Sequence, residues 1–225
     1  MGRTLFLLII GLGGAAILLS LGVWQVQRLA WKEAIIADIE TRIAAEPVAL
    51  PDAPDPVRDA YLPVRITGQM GAESLRVLVS QKQVGAGYRV ISPLETPSGP
   101  VMVDRGFVPV DREIPAPPAE PVTVTGNLQW PEETDGFTPA PEAARNIWYA
   151  RDVAAMAEAL GTRPVLVVAR DAPEAGGALQ PLPVDTARIP NDHLQYAITW
   201  FSLAAVWLLM TATFLLRRRS QPAES

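Results

Sequence analysis

The residues best suited to chemistry lie in one short stretch, residues 190–200, which holds the single histidine of the chain, His193. Asp192 before it is a good N-cap residue, and Gln195 follows three positions later, as in a capping box. The stretch therefore predicts a helix that begins at His193. The positive end of a helix dipole disfavours imidazolium in the first turn. His193 should then be neutral, which is the form that binds a metal ion.

Aromatic side chains follow His193 at helical spacing. Tyr196, Ala197 and Trp200 occupy positions +3, +4 and +7, so they share its face of the predicted helix. A small residue within an aromatic wall could leave room for a planar ligand. Tyr and Trp are also enriched at membrane interfaces whatever the function, and an interfacial histidine can bind headgroups or a soluble domain. The residue types leave both interpretations open.

A second aromatic face, which is also basic, lies within residues 21–32. Trp24, Arg28 and Trp31 fall at i, i+4 and i+7, and Lys32 follows Arg28 by four. This face could offer a wall and two cations to an amphipathic anion, such as the propionates of haem. An interfacial belt with snorkelling cations would give the same pattern.

Two long apolar runs predict a pair of transmembrane helices. The first, residues 5–23, lacks the small-x-small site of a cleaved signal peptide, so an uncleaved anchor is expected. The second runs from about residue 196 to 216. Arg3 and residues 217–219, all arginine, mark the cytoplasmic side. The result is a hairpin with both termini in the cytoplasm and both candidate faces at the outer surface, in contact with membrane lipids.

This topology sets the predicted domain boundaries. They are a cytoplasmic N-terminus at 1–4, a first transmembrane helix at 5–27, a periplasmic domain at 28–192, a second transmembrane helix at 193–216 and a cytoplasmic tail at 217–225. The first apolar run starts at residue 5 with no transit peptide before it. We therefore expect the inner (plasma) membrane of a bacterium rather than mitochondrial import.

The fold class predicted is membrane α+β, in which the two helices flank a mostly antiparallel β domain with one or two short helices. A helical stripe continues through 33–46, and a linker rich in Pro and Asp follows at 47–63. Strands are expected at 64–67, 75–81, 88–95, 101–105, 122–129, 147–150 and 164–170.

Turn and cap residues separate these predicted elements. Turns are expected at Gly71, at 85–87 and at 97–100. Asp152 should cap a short helix over 153–160 that Gly161 closes, and a loop rich in Gly and Pro is expected at 173–183.

Several classes of function are excluded by the composition. Cysteine is absent, so disulfides, thiolate metal sites and a cysteine nucleophile cannot occur. The formal net charge of −5 argues against nucleic acid as a partner. A Ser-His-Asp site in the outer domain is excluded because His193 lies at the membrane. Residues 85–87 are too short for a dinucleotide loop, and residues 104–106 (Asp-Arg-Gly) are interpreted as a structural salt bridge and turn at a strand end.

Five segments in series resemble the SURF1 (Shy1) family of cytochrome c oxidase assembly proteins. They are residues 21–32 (LGVWQVQRLAWK), 87–94 (GYRVISPL), 101–109 (VMVDRGFVP), 146–152 (NIWYARD) and 191–201 (NDHLQYAITWF). Their order and the two flanking apolar runs match the family over nearly the whole chain. The commonest family form has Asn where Asp192 stands, which keeps the cap.

The resemblance implies a membrane assembly factor for the haem a-containing subunit of a terminal oxidase, and no catalysis. Bacterial members are thought to bind haem a, with the histidine matching His193 as an iron ligand. Tyr196 and Trp200 would then line the ring, and Arg28 or Lys32 would meet a propionate. Haem A synthase, as donor, and oxidase subunit I, as acceptor, become the expected partners. A haem-independent scaffold that stabilises subunit I through protein contacts is the alternative.

Overall fold

The computed structural model describes residues 2–82, 84–171, 179–187 and 189–219. The chain divides into two compact units. The helical unit comprises Met1–Asp38 and Ala187–Ser225, and the β unit comprises Ile39–Thr186. Three predictions fall wholly or partly outside the described part: the loop at 173–183 for residues 173–178, the tail for residues 220–225, and the side chains of Arg3, Arg218 and Arg219.

The helical unit consists mainly of two long helices, α1 (Gly2–Ala44) and α3 (His193–Arg219). The last residues of α1, from Ile39 onward, belong to the β unit. The segments Leu5–Ala44 and His193–Arg217 are each long and apolar enough to span a membrane. Only 17% and 6% of their most apolar windows are buried by the rest of the protein. A core helix of a soluble protein would be mostly buried, so this exposure is consistent with a membrane protein.

Small residues bring α1 and α3 into close antiparallel contact. Three glycines of α1 meet side chains of α3: Gly11 meets Thr211, Gly14 meets Trp207, and Gly22 meets Phe201. A Cβ atom at Gly14 would lie 2.6 Å from Nε1 of Trp207, which is too close for any larger residue without a shift. Ala15, Ala197 and Ala204 are buried in the same contact. Small residues at an interface between apolar helices allow their backbones to approach closely.

Seven strands build the sheet of the β unit. They are β1 (Pro63–Met70), β2 (Leu75–Gln81), β3 (Gly85–Glu95), β4 (Val101–Pro109), β5 (Val122–Gln129), β6 (Ile147–Trp148) and β7 (Leu166–Ala169). Their order is β1-β5-β7-β4-β3-β2-β6, and a further pairing of β1 with β3, at Met70 and Leu94, closes five of them into a small barrel. Among the seven strands of the described part, only β2–β6 and β4–β7 pair in parallel. The expectation of a sheet-rich, mostly antiparallel domain is confirmed.

Alternation along the strands divides the apolar residues between two cores. In β7 and the residue before it, Val165, Val167 and Ala169 join a core with Val64 and Leu128. Leu166 and Val168 point the other way, into a second core. That core packs against α2 (Val153–Leu160), whose Met156 is fully buried. A strand buried on both faces is the expected state of a parallel pairing such as β4–β7.

The short helix α2 begins and ends where its sequence predicts. The side chain of Asp152 accepts a hydrogen bond from the backbone N–H of Ala155 over 3.1 Å, which is the geometry of an N-cap. Gly161 closes the helix with φ +65°, a left-handed conformation that glycine adopts without steric cost.

Two turn predictions are wrong. The turn expected at 85–87 belongs to β3, and the chain reverses just before it, where Val84 N–H donates to Gln81 O. Gly106 does not end β4, which continues to Pro109. Arg105 and Gly106 instead lie opposite the single residue Val90, and Gly106 has φ +120°. This is a β-bulge, which inserts one extra residue without ending the strand.

Asp104 forms the predicted salt bridge, but not with its neighbour. Its fully buried carboxylate accepts a hydrogen bond from Arg89 and lies 4.0 Å from the guanidinium of Arg151. Arg105 points elsewhere and donates to Ser92 Oγ and the carbonyl of Pro115. Adjacent residues in a strand face opposite sides of the sheet, so Asp104 reaches β3 rather than Arg105.

Arg151 extends this buried network to Glu133. Its guanidinium binds both carboxylate oxygens of Glu133 and also donates to Gln129 over 2.8 Å. Burial alone would raise the pKa of Glu133, but the hydrogen bonds and positive charge of Arg151 outweigh burial and leave the pKa below its ordinary value. The network therefore links β3, β4 and β5 to the loop before β6.

Candidate functional site

His193 is the first residue of α3, as predicted from its neighbours. The backbone N–H of Tyr196 donates to the carbonyl of Asp192 over 3.2 Å, so the first helical hydrogen bond starts at the predicted cap residue. The side chain of His193 is half-buried. The side-chain capping box of Asp192 and Gln195 remains a prediction.

A glutamine that the sequence did not single out meets the histidine. Nδ1 of His193 lies 2.8 Å from Oε1 of Gln25, across the two long helices. Gln25 is only 8% exposed, on the face of α1 that carries Gly22 one turn earlier. A polar residue on the small-residue face of an apolar helix was the available signal, because a buried amide requires a hydrogen-bond partner.

Arg28 and Trp31 contact each other one to two turns further along α1. The guanidinium of Arg28 lies 3.9 Å from the ring centroid of Trp31, which is a cation–π contact. Trp24 and Trp31 are about half exposed, and Lys32 is half-buried. At 1.5 Å per residue, Lys32 lies roughly 10 Å along the helix axis from the level of Gln25. The two cations are therefore on the side of His193 away from the apolar span.

The three residues that follow His193 at helical spacing have different surroundings. Ala197 is 2% exposed within the contact with α1, so it does not form an open gap in an aromatic wall. Trp200 is half-buried, and Tyr196 is more than half exposed. Trp24 follows Gly22 by two residues, and Gly22 meets Phe201, so Trp24 lies near the level of this aromatic turn. Both helices therefore carry exposed or half-buried aromatic residues near the level of His193.

The β unit has open clefts of a different character. One, of about 520 Å³, is lined by Leu75, Trp148 and Leu160 with Glu73 as its acidic residue. Another, of about 390 Å³, contains Arg76 stacked near Tyr88, together with Arg112 and Glu113. Within the described ranges, no three His, Asp or Glu side chains are grouped to hold a metal ion.

Comparison with known proteins gives the family. A model of the SURF1 family matches residues 12–205, most of the chain and both long helices in part. The chain belongs to the SURF1 family. Surfeit locus protein 1 of Rattus norvegicus is 31% identical over 210 residues, covering 83% of this chain and 68% of that protein. The SURF1-like protein of Drosophila melanogaster is 34% identical over 213 residues, covering 83% and 70%.

The human relative gives the same picture. Surfeit locus protein 1 of Homo sapiens is 31% identical over 211 residues, covering 83% of this chain and 70% of that protein. The resemblance seen in five separate segments is confirmed, since the SURF1 match extends from α1 through the β unit into α3.

Proposed function

We propose that this SURF1 protein is an assembly factor for a haem-copper terminal oxidase, cytochrome c oxidase. In this proposal the assembly factor binds haem a and helps to insert it into subunit I of the oxidase. Family membership supports the assembly role. One observation carries the haem part: Gln25 engages Nδ1 of the single histidine, and Nε2 is the nitrogen left for a ligand. A histidine that ligates a metal commonly has its other nitrogen held in this way.

The donor set fits haem better than a free metal ion. A structural zinc site needs about four protein ligands, whereas the described residues offer no group of three. A porphyrin brings four nitrogen ligands of its own and needs from the protein only an axial group, such as imidazole. The single imidazole of His193 is therefore sufficient for haem.

The surroundings of His193 suit the rest of such a ligand. Trp24, Trp31 and Tyr196 leave about half of their surface open, and Trp200 is half-buried. Aromatic faces are apolar and flat, so they can pack against a macrocycle. Arg28 and Lys32 would pair with the propionates, and Trp31 orients Arg28.

We also propose the setting in which the protein works. The helices would form a hairpin in the inner (plasma) membrane, with both termini cytoplasmic and the β unit periplasmic, as Arg3 and residues 217–219 indicate. Haem A synthase would donate the cargo and subunit I would accept it. The protein would transfer haem a without catalysing a reaction, because binding and release require no bond to be made or broken in the porphyrin.

Replacement of His193 by Ala tests this proposal. The variant and the parent would be co-expressed with the haem A biosynthetic enzymes, purified in detergent and compared by visible spectroscopy. We expect much less bound haem and a changed spectrum, since the iron loses its imidazole. Gln195→Ala, on an exposed position of the same turn, is the matched control.

The same experiment separates the two candidate functions. An unchanged Soret band and unchanged haem stoichiometry in His193→Ala would reject the ligand assignment. Oxidase activity that still depended on the protein would then favour the haem-independent scaffold for subunit I.

A further inference from the structure

We propose that Gln25 is the positioning residue of the site: its side-chain carbonyl holds His193 in the Nδ1–H tautomer and aims Nε2, with its lone pair, at the incoming iron. The inference rests on the proposed function for the identity of the ligand. The tautomer itself is a property of the cargo-free protein and can be measured without haem.

Hydrogen-bond chemistry fixes the direction of this contact. The side-chain oxygen of Gln25 can only accept, so Nδ1 of His193, at 2.8 Å, must carry the proton. A neutral imidazole has one N–H, and Nε2 is then unprotonated. If the amide nitrogen faced the ring instead, Nδ1 would accept, Nε2 would hold the proton, and Nε2 could not ligate iron.

Burial makes the contact specific. Gln25 is 8% exposed, so water offers little competition for its amide. Gly22, one turn away, lets the two helices approach closely, so the side chain of Gln25 is long enough to reach the His193 ring. The exposed Gln27, two residues along, lies on another face of α1 and serves as a comparison.

A neutral amide also suits this position better than a carboxylate. A glutamate at residue 25 would accept from Nδ1 equally well, but its charge would favour imidazolium, which cannot bind a metal. A glutamine orients the ring without attracting a second proton. The expected effect of removing such an orienting group on ligand affinity is about 10- to 100-fold.

Nitrogen NMR tests the tautomer directly, because the chain has one histidine. The full-length, cargo-free protein would be labelled with ¹⁵N-histidine and studied in detergent micelles above neutral pH. We expect a pyrrole-type shift for Nδ1 and a pyridine-type shift for Nε2. A pyrrole-type Nε2 would overturn the proposal without any variant.

Variants then separate positioning from simple helix packing. Gln25→Leu should shift the ring toward the Nε2–H tautomer that the neutral histidine side chain prefers in water, whereas Gln27→Leu should leave the spectrum unchanged. Gln25→Glu keeps an acceptor and, at a pH high enough to leave the ring neutral, should retain Nδ1–H with a pyridine-type Nε2, which provides a second test if Gln25→Leu fails to fold. A tautomer that is the same in Gln25→Leu and the parent would contradict the proposal.

Haem loading distinguishes failure of this inference from failure of the proposed function. If both are right, Gln25→Leu lowers haem affinity about 10- to 100-fold, and Gln25→Glu lowers it less. If His193→Ala retains all its haem, the proposed function fails, while the NMR result still decides the tautomer. If His193→Ala loses haem but Gln25→Leu binds it as the parent does, only the role of Gln25 is rejected.

Discussion

The indole N–H of Trp207 donates a hydrogen bond to the main-chain carbonyl of Gly11 over 2.9 Å, from one long helix to the other. The same indole covers Gly14, where a side chain would collide with it. An indole in apolar surroundings needs a partner for its N–H, so this contact fixes the relative register of α1 and α3. Register in turn decides whether Gln25 meets His193.

Replacing Gly14 by Leu should therefore separate the helices. A Cβ atom at Gly14 would lie 2.6 Å from Trp207 Nε1, and the bulky indole cannot move without losing its bond to Gly11. The readout is a disulfide between cysteines introduced at Gly11 and Thr211, since the natural chain has none. Their Cβ atoms would lie 3.1 Å apart, within a few tenths of an ångström of the usual range, and Gly14→Leu should greatly reduce cross-linking.

Gly13 supplies the control for this experiment. A Cβ atom there would meet nothing within 4 Å, so Gly13→Leu should cross-link as efficiently as the parent. Equal yields from Gly14→Leu and Gly13→Leu would show that the glycine face does not hold the helices together.

Loss of the two cations should weaken haem retention. In the proposed site Arg28 and Lys32 pair with propionates, and each partly desolvated, charge-assisted contact contributes roughly 1.5–3 kcal/mol. Arg28→Gln with Lys32→Gln should lower haem stoichiometry after purification but leave membrane insertion intact. Pigment content and the membrane fraction are the two measurements.

A control with the same change of charge isolates the effect of position. Lys82 and Arg112 are exposed cations of the β unit, and their double replacement by Gln should leave pigment unchanged. If the Arg28 and Lys32 variant also keeps its full pigment, these residues are ordinary interfacial anchors rather than propionate partners.

The hairpin topology predicts opposite results for two reporter fusions. An enzyme that is active only outside the cytoplasm should be silent when fused after Ser225 and active when inserted near Pro117. Arg217 and its two arginine neighbours should keep the C-terminus inside. The reverse pattern of activity would place His193 on the cytoplasmic face and reject the hairpin as proposed.

Glu133 should stabilise the β unit at neutral pH but not in acid. Its pKa in the folded protein is lower than its ordinary value of 4.5, so its contribution is fully present above that value and disappears as the pH falls through the folded pKa. Its side chain is 37% exposed, so solvent screening limits the contribution. Glu133→Gln should cost about 1 kcal/mol at neutral pH.

Thermal unfolding of the full chain in detergent checks this expectation. The difference in Tm between parent and Glu133→Gln should be clear at neutral pH and should shrink as the pH falls below 4.5 and the carboxyl group becomes protonated in the folded protein as well. Glu158→Gln, an exposed carboxylate of α2, should show little difference at either pH. A constant difference at all pH values would mean that Arg151 does not hold Glu133 through its charge.

The sequence predicted best those features that depend on neighbouring residues. The cap of α2 at Asp152, its end at Gly161 and the start of α3 at His193 each depend on contacts within one turn. β4 was predicted too short because glycine commonly marks a turn, whereas Gly106 forms a bulge within a continuing strand. The local pattern cannot distinguish these two uses of a positive φ.

Contacts between distant residues were not predictable from one sequence. The salt bridge of Asp104 was expected within residues 104–106, but its partner Arg89 lies 15 residues away along the chain, in the neighbouring strand. Gln25 was not predicted as a site residue because its partner, His193, is 168 residues away in the sequence. In both cases each residue fits its local pattern, and only the fold determines which polar groups meet.

The separation of 168 residues between Gln25 and His193 also sets an order in time. Ribosomes add about 5–20 residues per second, so Gln25 is made roughly 8–34 s before its partner. During that interval the first helix can enter the membrane and the chain of the β unit can be synthesised, but the imidazole does not yet exist. If the proposed function is right, a nascent or truncated chain would be unable to bind iron porphyrin through His193, and haem binding would begin only once the second helix has been made.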